Sequence, residues 1–190
     1  VAIVSTGNEV VAPGQALGPG QIHDVNRHTL SAIVEAHGGV PVPFDVAGDT
    51  IEALDAAVTA AVGCDLVVFS GGSSVGNRDL VMDILRARGT VVFHGIATRP
   101  GKPTALGTIE GVPVFGMPGN PASCLTDAYV LLVPFLRALA HQPPHLPRGD
   151  VAHGPADTTC QTRGCGQPMQ RIGQDVAEKL DYQPGVFTVQ

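Results

Sequence analysis

Tryptophan is absent from this chain of 190 residues, and aromatic residues account for only 4% of it. Hydrophobic residues make up 44%, so the core must be built mainly from Val, Ala, Leu and Ile, as is typical of a globular α/β protein. No apolar run approaches ~20 residues, so the sequence predicts no membrane span. The chain also lacks an initiating Met and a recognisable signal peptide. We therefore expect it to be cut from a longer protein.

Basic residues are few, because 11 Lys and Arg stand against 17 Asp and Glu, for a formal net charge of −6. The chain thus lacks the basic field of a nucleic-acid-binding protein, and we expect no nucleic-acid partner for the main domain. Cysteines are also few, and the four that are present do not suggest a disulfide framework. This usage predicts a reducing compartment, the cytoplasm.

Strand patterns alternate with helical patterns over the first 148 residues. A hairpin should form around Glu110-Gly111, and a long helix should begin at Asn120-Pro121 and be kinked or broken at Pro134. The order β-α-β-α-β-α-β-β-β-α predicts an α/β fold with a mostly parallel sheet and helices on both faces. The four strands predicted before the hairpin are VAIVS (1–5), PVPFDV (41–46), DLVVF (65–69) and TVVFHGI (90–96).

Small polar residues and glycines follow each of the first three predicted strands, in STGNE (5–9), VAGD (46–49) and SGGSSVGNRD (70–79). The carboxyl ends of parallel strands lie at one edge of a sheet, where α/β proteins bind their ligands. We therefore expect these three stretches to meet in a single binding rim.

The glycine-rich loop SGGSSVG (70–76) offers backbone N–H groups that no side chain covers, together with three hydroxyl groups. This combination can cradle phosphate oxygens ahead of a helix N-terminus. The loop is not a P-loop, because no Gly-Lys-Ser/Thr follows, and its glycine spacing does not fit GxGxxG. The alternative is a plain turn between a strand and a helix.

Two further segments could contact an anion. The cationic loop, residues 97–104 of ATRPGKPTALG, holds Arg99 and Lys102, each directly before a proline that restricts the conformations of the loop. Its alternative is a solvated turn. The turn Pro118-Gly119-Asn120-Pro121 lies at the positive end of a helix dipole. Simple helix capping by Asn120 is the favoured alternative for this turn when it is considered alone.

Three carboxylates, Glu9, Asp49 and Asp79, lie on the predicted rim. With substrate oxygens they could hold Mg²⁺, which usually binds one or two carboxylates. The alternative is that Asp49 and Asp79 only cap helices. For Asp49 the pattern Asp49-Thr50-Ile51-Glu52 resembles a capping box and favours this alternative.

Five motifs, STGNEV, GQIHDVNRHTL, GGSSVGNRDLV, RPGKPTALG and GMPGNPAS, occur in this order within residues 1–148. Their combination closely resembles the molybdopterin molybdenumtransferases, to which the E domain of gephyrin is related. The resemblance implies a three-layer α/β/α molybdopterin-binding domain. It also implies the insertion of molybdate into adenylylated molybdopterin with release of AMP, assisted by Mg²⁺. Full-length relatives are expected to be homodimers.

The resemblance implies roles for individual residues. Glu9, Asp79 and Lys102 would be catalytic, and Glu9, Asp49 and Asp79 would bind the metal. Gly48 stands where the family often has a further acid, and Arg99 stands where it commonly has Lys, which changes the geometry of the charge. The substrate-binding residues would be Thr6, Gly71, Gly72, Ser73, Ser74, Gly76, Arg99, Pro118, Gly119, Asn120, Pro121 and Ser123.

Two other functions stay open. One is a molybdopterin adenylyltransferase-type domain, and the other is a molybdopterin-binding fragment without catalysis. The domain prediction is an α/β domain at 1–140 and a Pro-rich linker, or the start of a lost β domain, at 141–156. A poorly ordered or partial segment follows at 157–190, and it resembles the zinc-binding region of an insertion-sequence transposase around Cys160 and Cys165. We interpret this tail as the product of a gene interruption, with an unusual native β domain as the alternative.

Overall fold

The computed structural model describes residues 1–72, 79–97 and 102–144 of the chain. The chain divides into a compact unit, Val1–Pro143, and a second unit, Pro144–Gln190. The described strands and helices all belong to the first unit. The predicted tail, with Cys160 and Cys165, and most of the predicted linker lie outside the described residues, so the domain boundaries near 140 and 156 stay predictions.

Strands and helices alternate along the described chain, as predicted. In chain order they are β1 (Ala2–Ser5), β2 (Val10–Val11), β3 (Ile22–His23), α1 (Val25–Ala36), β4 (Val42–Pro43), α2 (Ile51–Ala61), β5 (Val67–Ser70), α3 (Leu80–Arg88), β6 (Gly89–His94), β7 (Ala105–Ile109), β8 (Val112–Met117), α4 (Pro121–Asp127), a π-helical turn (Ala128–Leu132) and α5 (Val133–Leu139).

Six strands form one sheet in the order β4-β1-β5-β8-β7-β6. The first four strands are parallel, whereas β7 runs antiparallel to both of its neighbours. The hairpin between β7 and β8 turns at Glu110 and Gly111, with φ angles of 53° and 83°. Positive φ at both central residues is the geometry of a type I′ turn, which suits the strand twist. The predicted α/β class with a mostly parallel sheet is confirmed.

Helices cover both faces of this sheet. Successive residues of a strand point to opposite sides, so each strand contributes side chains to both faces. On one face, Val4 and Phe69 are buried in a cluster with residues of α2 and α3. On the other face, Ile3 and Val68 are buried in a cluster with residues of α1 and of the segment from α4 to α5. The predicted three layers are therefore present.

The long C-terminal helix is interrupted, as Pro134 predicted. Proline has no N–H group to offer to the preceding turn, and a wider π-helical turn immediately precedes it. The whole stretch Pro121–Leu139 has 19 residues and is apolar enough to cross a membrane by length and composition. It is not an uninterrupted apolar run, because it contains the charged residues Asp127 and Arg137. One face of this stretch is buried in the protein core, through Cys124, Ala128, Leu132, Val133 and Leu136.

Three local predictions need correction. Thr50, and not Asp49, caps α2, because its hydroxyl accepts the N–H of Ala53 at 3.1 Å. The strand predicted over 41–46 pairs only through Val42–Pro43. The short parallel pair of β2 and β3 was not predicted, since two-residue strands leave no periodic pattern in the sequence.

Candidate functional site

A cleft of about 920 Å³ opens beyond the carboxyl ends of β1, β5 and β8. Ser5 and Ser70, the last residues of β1 and β5, lie in its wall. This is the edge at which parallel sheets bind their ligands. The full lining is Ser5, Thr6, Gly7, Glu9, Val10, Ile22, His23, Asp24, Val25, Asn26, Asp49, Ser70, Gly71, Gly72, Leu80, Pro103, Pro118, Gly119, Asn120, Pro121 and Ser123.

Backbone hydrogen bonds join the three stretches that the sequence placed on one rim. The N–H of Thr6 donates to the carbonyl oxygen of Ser70 at 2.9 Å, which joins the end of β1 to the end of β5. The N–H of Gly7 donates to Ala47 at 3.2 Å, and the N–H of Ala47 donates to Ser5 at 2.9 Å. The stretches that follow β1, β4 and β5 therefore meet, as the rim prediction required.

Gly71 and Gly72 pack directly against Thr6. Both have positive φ angles, 99° and 72°. A Cβ atom on Gly71 would lie 2.5 Å from the backbone oxygen of Thr6, a separation that side chains do not tolerate. Glycine is therefore required at position 71, where only its conformational freedom and small size fit. Ser73, Ser74 and Gly76 of the same loop lie outside the described residues.

The Pro-Gly-Asn-Pro turn lies beside this glycine pair. A Cβ atom on Gly119 would be 3.4 Å from the Cα atom of Gly71, so the two turns touch. The side chain of Asn120 accepts the N–H of Ser123 at 3.2 Å and caps α4, which confirms the capping alternative for this residue. The turn nevertheless lines the cleft through Pro118, Gly119, Asn120 and Pro121, so capping and a place in the cleft coexist.

Asn26 is a cleft residue that the sequence analysis did not single out. Its side-chain N–H₂ group donates to the hydroxyl of Ser70 at 2.7 Å and to the carbonyl oxygen of Gly119 at 2.8 Å. One amide thus joins α1 to both glycine-containing turns. Asn26 belongs to the motif GQIHDVNRHTL, and this membership was the signal that could have identified it. Asp24 of the same motif caps α1 by accepting the N–H of Arg27. Asn26, two positions later, lines the cleft.

Two of the three predicted metal ligands line the cleft. Glu9 and Asp49 both belong to its wall. Asp49 exchanges hydrogen bonds with Asn8: its carboxylate accepts the Asn8 N–H at 3.2 Å, and its own N–H donates to the Asn8 side-chain oxygen at 3.2 Å. The favoured capping role of Asp49 is therefore wrong, because its carboxylate joins two stretches of the rim.

Asp79 is engaged elsewhere. One of its oxygens accepts the N–H of Met82 at 3.0 Å and caps α3, and the other lies 3.3 Å from Nε2 of His94. Asp79 is not part of the cleft wall described above. Within residues 1–72, 79–97 and 102–144, no group of three or more His, Cys, Asp and Glu side chains is close enough to hold a metal ion. The role of the three carboxylates as metal ligands stays a prediction.

The cationic loop reaches the cleft through Pro103. Lys102 is exposed and does not itself line the cleft, and Arg99 lies outside the described residues. The carbonyl oxygens of Lys102 and Thr104 accept the N–H groups of Ile96 and Gly95, each at 2.9 Å. These two bonds close the base of the loop and hold Lys102 next to the mouth of the cleft.

Comparison with known proteins supplies the family. The family described as "Probable molybdopterin binding domain" matches residues 2–138. This chain belongs to that family of molybdopterin-binding domains. The molybdopterin molybdenumtransferase of Nostoc sp. is 39% identical over 144 residues, which are 73% of this chain and 33% of that protein. The protein of the same name from Haemophilus influenzae is 38% identical over 151 residues, which are 76% of this chain and 37% of that protein.

A solved structure agrees with these sequence relatives. The molybdopterin biosynthesis MoeA protein from Pyrococcus horikosii superimposes with a TM-score of 0.67 at 46% identity, covering 75% of this chain and 36% of that one. This molybdopterin-binding domain spans roughly a third of the length of the curated relatives it matches. The sequence-based family assignment and fold are thus confirmed, and the tail resemblance stays a prediction.

Most of the predicted site residues of the molybdopterin-binding domain meet in one cleft. Asp79 and Lys102 stand beside it, and four predicted residues, Ser73, Ser74, Gly76 and Arg99, lie outside the described part of the chain. Their roles toward a ligand stay predictions. Those that line the cleft are Thr6, Glu9, Asp49, Gly71, Gly72, Pro118, Gly119, Asn120, Pro121 and Ser123.

Two acidic groups of α4 are buried beneath the cleft of this domain. Burial raises the pKa of the Cys124 thiol to about 12, although a hydrogen bond with Ser70 opposes the shift. Burial also raises the pKa of the Asp127 carboxyl, against a hydrogen bond from Thr104 that favours the ionised form. In both groups burial disfavours the charged form, because water does not reach them to solvate a charge.

Proposed function

We propose that this chain is the molybdopterin-binding part of a molybdenumtransferase, which inserts molybdate into adenylylated molybdopterin and releases AMP. One observation carries the proposal: the glycine pair, the Pro-Gly-Asn-Pro turn and two carboxylates, which are far apart in the chain, form the wall of one cleft. The names of the relatives support the same reaction. The setting we propose is the cytoplasm, on the basis of cysteine usage.

In this reaction the cleft would position the two reactants and stabilise the charge that develops between them. In this proposal, N–H groups of the glycine-rich loop and of the Pro-Gly-Asn-Pro turn hold pyrophosphate oxygens, as N–H groups at helix starts commonly do. Lys102, with Arg99, neutralises the incoming molybdate. Holding both reactants in place and stabilising the developing charge requires no nucleophilic side chain.

Glu9 and Asp49 are the residues that would hold Mg²⁺, because both lie in the cleft wall. A site of two carboxylates completed by substrate oxygens is the usual way in which proteins bind this ion. The ion would supply positive charge to the pyrophosphate oxygens. Asp79 is the third proposed ligand, and its second oxygen lies 3.3 Å from Nε2 of His94.

The experiment separates binding from reaction. Calorimetry measures the binding of adenylylated molybdopterin to the full chain, and a second assay measures molybdate-dependent release of AMP. Binding followed by release supports the proposal, whereas binding without release indicates a fragment that only binds. Formation of adenylylated molybdopterin from ATP and molybdopterin would indicate the adenylyltransferase alternative. Light scattering on the same samples tests for a homodimer.

A matched pair of variants tests the carboxylates. Glu9→Gln removes a charge from the cleft wall, and Glu52→Gln removes one from the exposed first turn of α2. We expect only Glu9→Gln to weaken Mg²⁺-dependent substrate binding, by about tenfold or more, which is the range of a lost charged contact. Equal behaviour of the two variants would remove Glu9 from the site.

A further inference from the structure

Thr104 and Asp127 form a buried pair beneath the mouth of the cleft. Both residues are 0% exposed, and the hydroxyl of Thr104 donates a hydrogen bond to Oδ2 of Asp127. They are 23 positions apart in the chain. A buried hydrogen bond of this kind persists, because neither group can exchange its partner for water.

Each end of this contact belongs to a segment that reaches the cleft. Thr104 directly follows Pro103, which lines the cleft, and lies two positions after Lys102. Asp127 ends α4, which begins at Pro121, the last residue of the Pro-Gly-Asn-Pro turn. The hydrogen bond therefore joins the base of the cationic loop to the helix that follows the Pro-Gly-Asn-Pro turn.

Stability alone is a poor reason for this arrangement. A buried carboxyl loses its hydration, and apolar replacements of buried polar groups are often as stable. Moreover, Oδ1 of Asp127 has no hydrogen-bond partner among the residues that the structure describes. What the contact does supply is a directed side-chain link between the residue before β7 and the end of α4, in addition to the backbone ladder that pairs Ala105 of β7 with Gly116 of β8.

We propose that the hydrogen bond between Thr104 and Asp127 positions the cationic loop, so that Lys102 faces the same cleft as the Pro-Gly-Asn-Pro turn. The pair acts through Lys102 and does not touch the substrate itself. This inference rests on the proposed function, in which Lys102 meets molybdate.

The proposal makes a distinction between variants of similar size. Asp127→Asn keeps an acceptor for the Thr104 hydroxyl, and the neutral amide resembles the protonated carboxyl that burial favours. Thr104→Ser keeps the donor. Thr104→Val and Asp127→Ala each remove one partner. Thr126→Val is the matched control, because Thr126 is the exposed neighbour on the same helix and its hydroxyl donates to the carbonyl oxygen of Ala122 within that helix.

Hydrogen exchange, resolved by NMR for single amides, reports on the loop without any ligand. The probes are the N–H groups of Gly95 and Ile96, which donate to Thr104 and Lys102. We expect Thr104→Val and Asp127→Ala to speed their exchange by about tenfold, the usual effect of leaving a buried group unpaired. Thr104→Ser, Asp127→Asn and Thr126→Val should leave it near the wild-type rate.

AMP release from the full chain then tests the consequence for the reaction. The variants that lose the bond should raise the KM for molybdate by about tenfold, with a much smaller effect on the affinity for adenylylated molybdopterin, since a displaced cation affects one reactant. Unchanged exchange in both of these variants would overturn the proposal. So would faster exchange with an unaltered KM for molybdate, or equal effects on both substrates.

A failure of the proposed function can be distinguished from a failure of the positioning role of Thr104 and Asp127. If the wild-type chain binds adenylylated molybdopterin but releases no AMP, the reaction assignment fails, and the exchange of Gly95 and Ile96 alone decides whether the pair holds the loop. If Thr104→Val does not fold, Thr104→Ser and Asp127→Asn still test it, because strong loss of loop protection in these bond-preserving variants contradicts the proposal.

Discussion

The side-chain nitrogen of Asn26 lies 2.8 Å from the carbonyl oxygen of Gly119, a residue 93 positions later in the chain. The same nitrogen donates to the hydroxyl of Ser70 at 2.7 Å. Both protons of one amide are therefore used to set the separation between the end of β5 and the turn before α4. Because the cleft lies between these segments, its shape depends on a side chain that is itself only 8% exposed.

Replacement of Asn26 by Asp tests this arrangement with almost no change in size. The carboxylate cannot donate, and it would face the carbonyl oxygen of Gly119. We expect a loss of about 1–3 kcal/mol in the free energy of unfolding, the cost of leaving buried partners unsatisfied. Urea denaturation measures this loss, and calorimetry should show weaker binding of adenylylated molybdopterin. Equal stability of Asn26→Asp and wild type would contradict the interpretation.

Glycine at position 71 is predicted to be irreplaceable. Gly71→Ala would place a Cβ atom 2.5 Å from the backbone oxygen of Thr6, at a φ of 99°. We expect Gly71→Ala to lower the free energy of unfolding by about 1–3 kcal/mol, the range for an L-residue held in such a conformation. Gly63→Ala is the control, because nothing lies within 4 Å of its Cβ position. If thermal unfolding showed the same midpoint for both variants, the close approach of Gly71 to Thr6 would be wrong.

The thiol of Cys124 should be inert in the folded protein. With a pKa of about 12, roughly one thiol in ten thousand is ionised at pH 8, and only the thiolate attacks alkylating reagents. Iodoacetamide labelling followed by peptide mass spectrometry should show modification of Cys124 about 100-fold or more slower than that of the partly buried Cys64. The difference should vanish in urea. Comparable labelling of the two thiols under native conditions would contradict the burial of Cys124.

The pH dependence of stability should reveal the buried carboxyl of Asp127. Burial raises its pKa in the folded state, so the folded protein binds this proton more tightly than the unfolded chain does. This tighter proton binding by Asp127 stabilises the folded state fully below the carboxyl pKa of the unfolded chain, about 3.9. The stabilisation is lost as the pH rises from there through the pKa of Asp127 in the folded state. Asp127→Asn does not titrate. Its stability relative to wild type should therefore improve as the pH rises from about 3.5 to 7. Urea denaturation at both pH values measures this, and a relative stability that falls or stays constant would argue against the raised pKa.

Local features of the chain were predictable because their causes are local. The hairpin at Glu110-Gly111 follows from a two-residue turn with positive φ, and the start of α4 follows from Asn120-Pro121. The break before Pro134 follows from the missing N–H group. The prediction that Asp49 and not Thr50 caps α2 was wrong, because adjacent capping residues satisfy the same local pattern. Only the contact of Asp49 with Asn8, in the turn after β1, separates them.

The sequence by itself determined the alternation of strands and helices, the caps of α3 and α4 by Asp79 and Asn120, and the family to which the chain belongs, since these depend on short-range sterics and on residues in fixed order. Only the tertiary structure decided that Asn26 joins two distant turns, that Asp49 faces the cleft, that Asp79 turns to His94, and that Thr104 meets Asp127. These are contacts between segments up to 93 residues apart. Their geometry is set by how whole elements pack, which no local pattern records.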